Sequence, residues 1–111
     1  MERVNERELS YRDGDSGVKY FLRGPRIDWG AWRFLPGQSL GKHYHKEVEE
    51  TFYFAKGAPK MIVEGQMLRI RPGDVVRLEP GEKHDIINDT KEPCEGMFIK
   101  ATYAPNDKVN A

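Results

Sequence analysis

Residues 37–57 read GQSLGKHYHKEVEETFYFAKG. Two of the chain's three histidines stand there one residue apart, three glutamates crowd behind them, and the aromatic run Phe52-Tyr53-Phe54 follows at once. Side chains two positions apart on a β-strand leave the same face, so His43 and His45 project together while Tyr44 points away. Imidazoles side by side near a carboxylate are donors that a divalent transition metal accepts. An isolated His-x-His more often consists of one core histidine and one surface histidine. The third histidine tips the balance toward a cluster. His84 opens a strand-like run after a Pro-Gly turn, in PGEKHDIIN at 80–88, so every histidine falls at the rim of an expected strand.

Strand parity chooses among Glu47, Glu49 and Glu50. With Glu50 inward, Phe52 and Phe54 are inward too and Tyr53 faces out. With Glu49 inward, the buried set is Thr51, Tyr53 and Ala55. Burying two phenylalanines removes far more apolar surface from water, which favours Glu50 and leaves Glu47 and Glu49 to solvent or to outer support. Glu50 lies an odd number of residues from both histidines. The strand must therefore break within KEVE, residues 46–49, to reset its phase.

Outward from this stretch, turn signals cut the chain into short pieces. Pro-Gly recurs at 36–37, 72–73 and 80–81, and between such punctuation lie strand-like runs at 18–23, 29–35, 51–56, 60–64, 66–70, 74–78, 83–88 and 94–100. KMIVEGQMLRI at 60–70 reads as a tight hairpin turning at Glu64-Gly65. No segment keeps a helical period, so the fold class is all-β, with at most a short helical turn near either end. The expected division is an N-terminal arm over 1–16, able to pair with a partner's sheet edge, a β-barrel over 17–103, and a polar tail over 104–111.

A chain of 111 residues holds one modest core. Basic and acidic residues balance at 18 each, so the basic surplus of a nucleic-acid binder is missing, and no apolar run is long enough for a spanning helix. The charged N-terminus has no secretory pattern and Cys94 has no partner for a disulfide. The expectation is a cytoplasmic protein that engages neither nucleic acid nor membrane.

The same residues resemble the cupin family. Gly37, His43, His45, Glu50 and Gly57 match every fixed position of the first cupin motif, and Gly73, Gly81, His84 and Asn88 match the second. The departure is Glu79 where that motif has proline, with Pro80 one place later. The resemblance implies a single-domain jelly-roll barrel, commonly a homodimer, with one divalent metal ion (Fe, Mn, Ni, Co or Zn) in its mouth. It implies His43, His45, Glu50 and His84 as ligands, with Cys94 outside the set. Two open coordination positions would then take a small oxygenated molecule as ligand or substrate. Dioxygenase chemistry is the first expectation, isomerase or decarboxylase chemistry the next, and a non-catalytic metal- and ligand-binding or sensing module the alternative. Glu50 would remain a ligand or serve as a catalytic base. Phe52, Phe54 and Ile86 are the expected pocket walls. Arg33, Arg77 and Lys100 are candidates for greeting an anionic group, and Trp29, Trp32 and Tyr53 for stacking on a ligand, although surface and core roles are commoner for such residues.

Overall fold

A computed structural model describes residues 1–111. After a 3-10 turn at Glu6–Glu8, the chain forms β1 Gly17–Arg23, β2 Ile27–Phe34, β3 His43–His45, β4 Glu49–Lys56, β5 Lys60–Val63, β6 Gln66–Arg69, β7 Val75–Leu78, β8 His84–Ile87, β9 Cys94–Ala101 and β10 Lys108–Asn110. These make two five-stranded sheets, ordered β1-β2-β9-β4-β7 and β10-β3-β8-β5-β6. Every pairing is antiparallel. The all-β expectation holds, and each expected run falls on a strand with ends shifted by a residue or two. Residues 104–111 do more than trail away, because β10 extends the second sheet by pairing with β3.

The core lies between the sheets and follows their two-residue period. On β4, Glu50, Phe52 and Phe54 are buried while Tyr53 is exposed, as apolar burial demands of that strand. Trp32 and Phe34 from β2, Leu78 from β7, and Cys94 and Phe98 from β9 complete the first sheet's contribution, and Met61 and Ile86 come from the second. Trp32 meets Phe54 edge-on at 5.2 Å and stacks on Phe34 at 5.5 Å. Gly96 makes this possible, since a Cβ there would collide with the Tyr53 carbonyl and come 2.7 Å from the Trp32 ring.

The local turns follow from the sequence. Glu64 and Gly65 both take positive φ, 47° and 81°, the geometry of a two-residue hairpin whose twist matches its strands. Asn88 is fully buried and closes the loop after β8. Its amide donates to the Phe34 carbonyl at 2.9 Å and the Glu92 carbonyl at 2.8 Å, and its oxygen accepts from Thr90.

The break in KEVE is real. β3 ends at His45 and β4 starts at Glu49. The turn between them is pinned by Asp107, a residue of the segment expected to be a tail. Its buried carboxylate accepts the backbone N–H groups of Glu47 at 2.9 Å and Val48 at 3.0 Å.

Candidate metal centre

Two sheets supply the centre. β3 presents His43 and His45 on one face, β8 presents His84 directly across from His43, and β4 of the other sheet presents Glu50. All four side chains are buried, with relative exposure of 4% or less. Their donor atoms lie within 4.8 Å of one another. Glu50 Oε1 is 3.0 Å from His45 Nε2, 3.2 Å from His84 Nε2 and 3.9 Å from His43 Nε2. Neighbouring donors on an ion with bonds of about 2.1 Å sit about 3.0 Å apart, so the cluster has the right size for one.

Backbone carbonyls fix the imidazoles. His43 Nδ1 lies 2.7 Å from the Gly41 oxygen, and His84 Nδ1 lies 2.9 Å from the Glu82 oxygen. A carbonyl can only accept, so each Nδ1 carries the proton. In the neutral ring, Nε2 then turns a bare lone pair toward the carboxylate. Two lone pairs and an anionic oxygen do not converge in a buried site without positive charge among them. A metal ion would supply it, and this outer hydrogen bonding is of the kind that orients a ligating histidine. The four residues therefore fit a divalent metal: they would hold it through three nitrogens and one oxygen, without thiolate.

Burial pushes the Glu50 carboxyl up. The contacts with His43, His45 and His84, and the charge of Lys100, outweigh that and hold it well below the usual carboxylate range. Lys100 is Glu50's cross-strand neighbour on β9. It also donates to the Tyr20 hydroxyl at 3.0 Å.

Two adjoining cavities open on the centre. One of about 90 Å3 is lined by His43, Glu50, Phe52 and Phe98, with Lys100 among its polar residues. The other, about 220 Å3, reaches His45 and Val48. Phe52, an expected wall, lines the first. Phe54 and Ile86, the other two, belong to the core behind it.

The remaining expectations sort cleanly. Of the three candidate cations, Lys100 faces the cavities. Arg33 pairs with Glu95 and the Asp15 carbonyl, and Arg77 is exposed beside Glu79. Trp32 is core, whereas Trp29 and Tyr53 lie exposed on the outer face of the first sheet. Glu47 is exposed and Glu49 half-buried, both outside the cluster. Cys94 is buried beside the Phe34 carbonyl, its thiol pushed up to about 11 chiefly by burial. Sequence reasoning did not single out Arg12, Tyr20, Asp107 or Lys108. The first three come from runs read as arm, strand and tail, and only their placement around the centre marks them.

Comparison with known proteins agrees with this geometry. The family described as Cupin domain matches residues 30–100. A tetracenomycin polyketide synthase protein, TcmJ of Streptomyces glaucescens, is 25% identical over 80 residues; these are 72% of this chain and 54% of that protein, so the chain spans about half the length of the curated relative it matches. A Klebsiella pneumoniae protein with a double-stranded β-helix domain superposes with a TM-score of 0.85 at 19% identity, covering 100% of this chain and 97% of the other. A predicted oxalate decarboxylase from Thermotoga maritima gives 0.79 at 21% identity, covering 91% and 99%. With the domain matched across both motifs and the ligand cluster assembled, the chain belongs to the cupin family.

Proposed function

We propose that the protein is a metal-dependent enzyme acting on a small oxygenated molecule. The observation that carries this reading is the convergence of three buried imidazoles on one buried carboxylate, with His43 and His84 held by carbonyls so that Nε2 faces inward. A divalent ion there supplies Lewis-acid polarisation of a chelating oxygen group. The protein's own part is to fix the four donors, keep Glu50 ionised, and shield one side of the cavity with Phe52 and Phe98. Glu50 is placed to act as ligand or, if released, as a base. Dioxygenase chemistry is the first choice of reaction class. Decarboxylase or isomerase chemistry is the next, and the likeness to a predicted oxalate decarboxylase supports keeping it.

The direct test is metal analysis of protein purified without a histidine tag, followed by reconstitution with Fe(II), Mn(II), Ni(II), Co(II) or Zn(II). The loaded protein is then offered chelating diketones, catechols and carboxylates while oxygen uptake and product are monitored. Near-stoichiometric metal with turnover of any panel member supports the enzyme. Metal and tight ligand retention without product supports a sensing module instead.

No helix is long and apolar enough to cross a membrane, and the accompanying proposal is a cytoplasmic homodimer. The outer face of the first sheet carries Phe21, Trp29, Tyr53, Val75 and Ile99. The charges at its margin are neutralised within the chain, Arg33 by Glu95 and Lys19 by Glu6. Such a patch meets its own copy across a two-fold axis without repulsion. Sedimentation should give a dimer that Trp29→Glu dissociates; a monomeric parent protein would rule it out.

A further inference from the structure

The chain has no net charge, yet the approach to the centre is strongly positive. Arg12, Tyr20, Lys100 and Lys108 line both cavities, and Arg23 adds a further cation to the larger one. They come from four places in the sequence: the arm before β1, β1 itself, the end of β9 and the start of β10. None of these four cations forms a salt bridge, although four ion pairs of lysine or arginine with a carboxylate exist elsewhere in the molecule. Two carboxylates stand against these four cations, Asp28 in the larger cavity and Glu50 in the smaller, and neither forms an ion pair with any of them. Asp28 accepts from the Gly24 N–H at 3.1 Å, and Glu50 faces the three histidines.

The cations are also organised. Lys100 donates to the Tyr20 hydroxyl at 3.0 Å, which leaves that O–H free to donate elsewhere. Arg23 stacks over the Tyr20 ring at 4.1 Å. Lys108 stands across from His45 in the β3–β10 ladder and lines both cavities beside Arg12 and Lys100. Four cations against two carboxylates leave positive charge in excess at the mouth, and an anionic group bound among them would relieve the repulsion between like charges.

We propose that the site takes a small molecule with two anionic ends, one reaching the metal centre and the other, a carboxylate or phosphate-type oxyanion, held at the mouth by Arg12, Lys100, Lys108 and the Tyr20 hydroxyl. This deepens the reading above and rests on it for the metal-bound end only. It makes the arm and the last strand parts of substrate recognition. It also narrows the substrate class from oxygenated molecules in general to compact dianions, which suits cavities of about 220 and 90 Å3.

The experiment is calorimetric titration of the full chain, with and without bound metal, using succinate, its monoamide succinamate, and 3-phosphonopropionate. Succinate and succinamate differ by a single distal charge, and the phosphonate distinguishes a phosphate-type end from a carboxylate end. A charge-assisted hydrogen bond contributes about 1.5–3 kcal/mol, so at least one dianion should bind roughly 10-fold or more tighter than succinamate. Arg12→Met and Lys108→Met should each shrink that gap several-fold, and the double variant should abolish it. Arg12→Lys and Lys108→Arg should restore most of it, which a merely structural role would not do. Both residues are exposed, so melting temperature and metal content should not change. Equal binding of dianion and monoamide, or a gap that survives the double variant, would overturn the proposal while leaving the metal centre intact. If no metal is taken up, the centre's reading fails, and the metal-free titration still decides the mouth.

Discussion

One strand, β4, builds two different environments a few residues apart. At its start Glu50 meets three imidazoles; at its far end Phe54 packs on Trp32, close to Phe34 and Cys94. Both ends are equally buried, and both use the same inward-facing parity. The difference lies in what each end requires of its neighbours. The aromatic end needs only shape and apolar area, so it is held by packing and by Gly96 leaving space. The histidine end needs every donor matched, so it is held by hydrogen bonds that reach outside it, to the carbonyls of Gly41 and Glu82 and the carboxylate of Asp107. A well-packed end gives a protein its stability, and an end full of polar groups gives it chemistry at some cost in stability.

Substitutions at the two ends should therefore fail in different ways. The largest loss of folding stability is expected from Phe54→Ala, about 3–5 kcal/mol by denaturant unfolding, with metal stoichiometry preserved in the folded fraction. Glu50→Gln keeps the side chain's volume and should weaken metal binding by at least about 100-fold, read by competition with a chromogenic chelator, while Glu49→Gln leaves it unchanged. If the two glutamates exchange these behaviours, the assignment of Glu50 to the inward face is wrong. Asp107→Ala is intermediate: it strands two backbone N–H groups and should cost about 1–3 kcal/mol, and it should also loosen metal, because the turn it pins leads out of His45. Loss of stability without loss of metal affinity would separate the turn from the centre.

The smallest effect belongs to a pair outside both ends. Asp89 is held down to about 2, chiefly by its hydrogen bonds from Arg69. A depressed carboxyl stabilises the fold above its unfolded value, near 3.8, and that contribution fades as pH falls through about 2. Arg69→Met should return the Asp89 titration, followed by carboxyl-carbon NMR, to the ordinary range. Because the pair is exposed, the melting temperature at neutral pH should barely change.

Much of this was legible in the sequence, for a physical reason. A two-residue period is a local property, so the aromatic alternation of 50–54 and the His-x-His spacing reveal facing without knowledge of the fold. The Glu64-Gly65 turn is equally local. What the sequence concealed is whatever depends on separate segments meeting. Arg12 and Lys108 look like ordinary surface charges in polar termini, and only the two-sheet closure sets them beside Lys100. Asp107 looks like a tail residue until its carboxylate is seen to cap the KEVE turn. Phe54 and Ile86 share the parity of the pocket wall but sit too deep to line it, because parity fixes the side of a strand and not the depth along it.

Asp107 and Lys108 are adjacent, and the consequence reaches beyond either one. Asp107 steadies the turn behind His45, while Lys108 lies across from His45 itself in the β3–β10 ladder. Neighbouring positions thus govern separate traits: a library confined to this stretch should retrain ligand preference through Lys108 while cation retention follows Asp107, provided that the aspartate is kept.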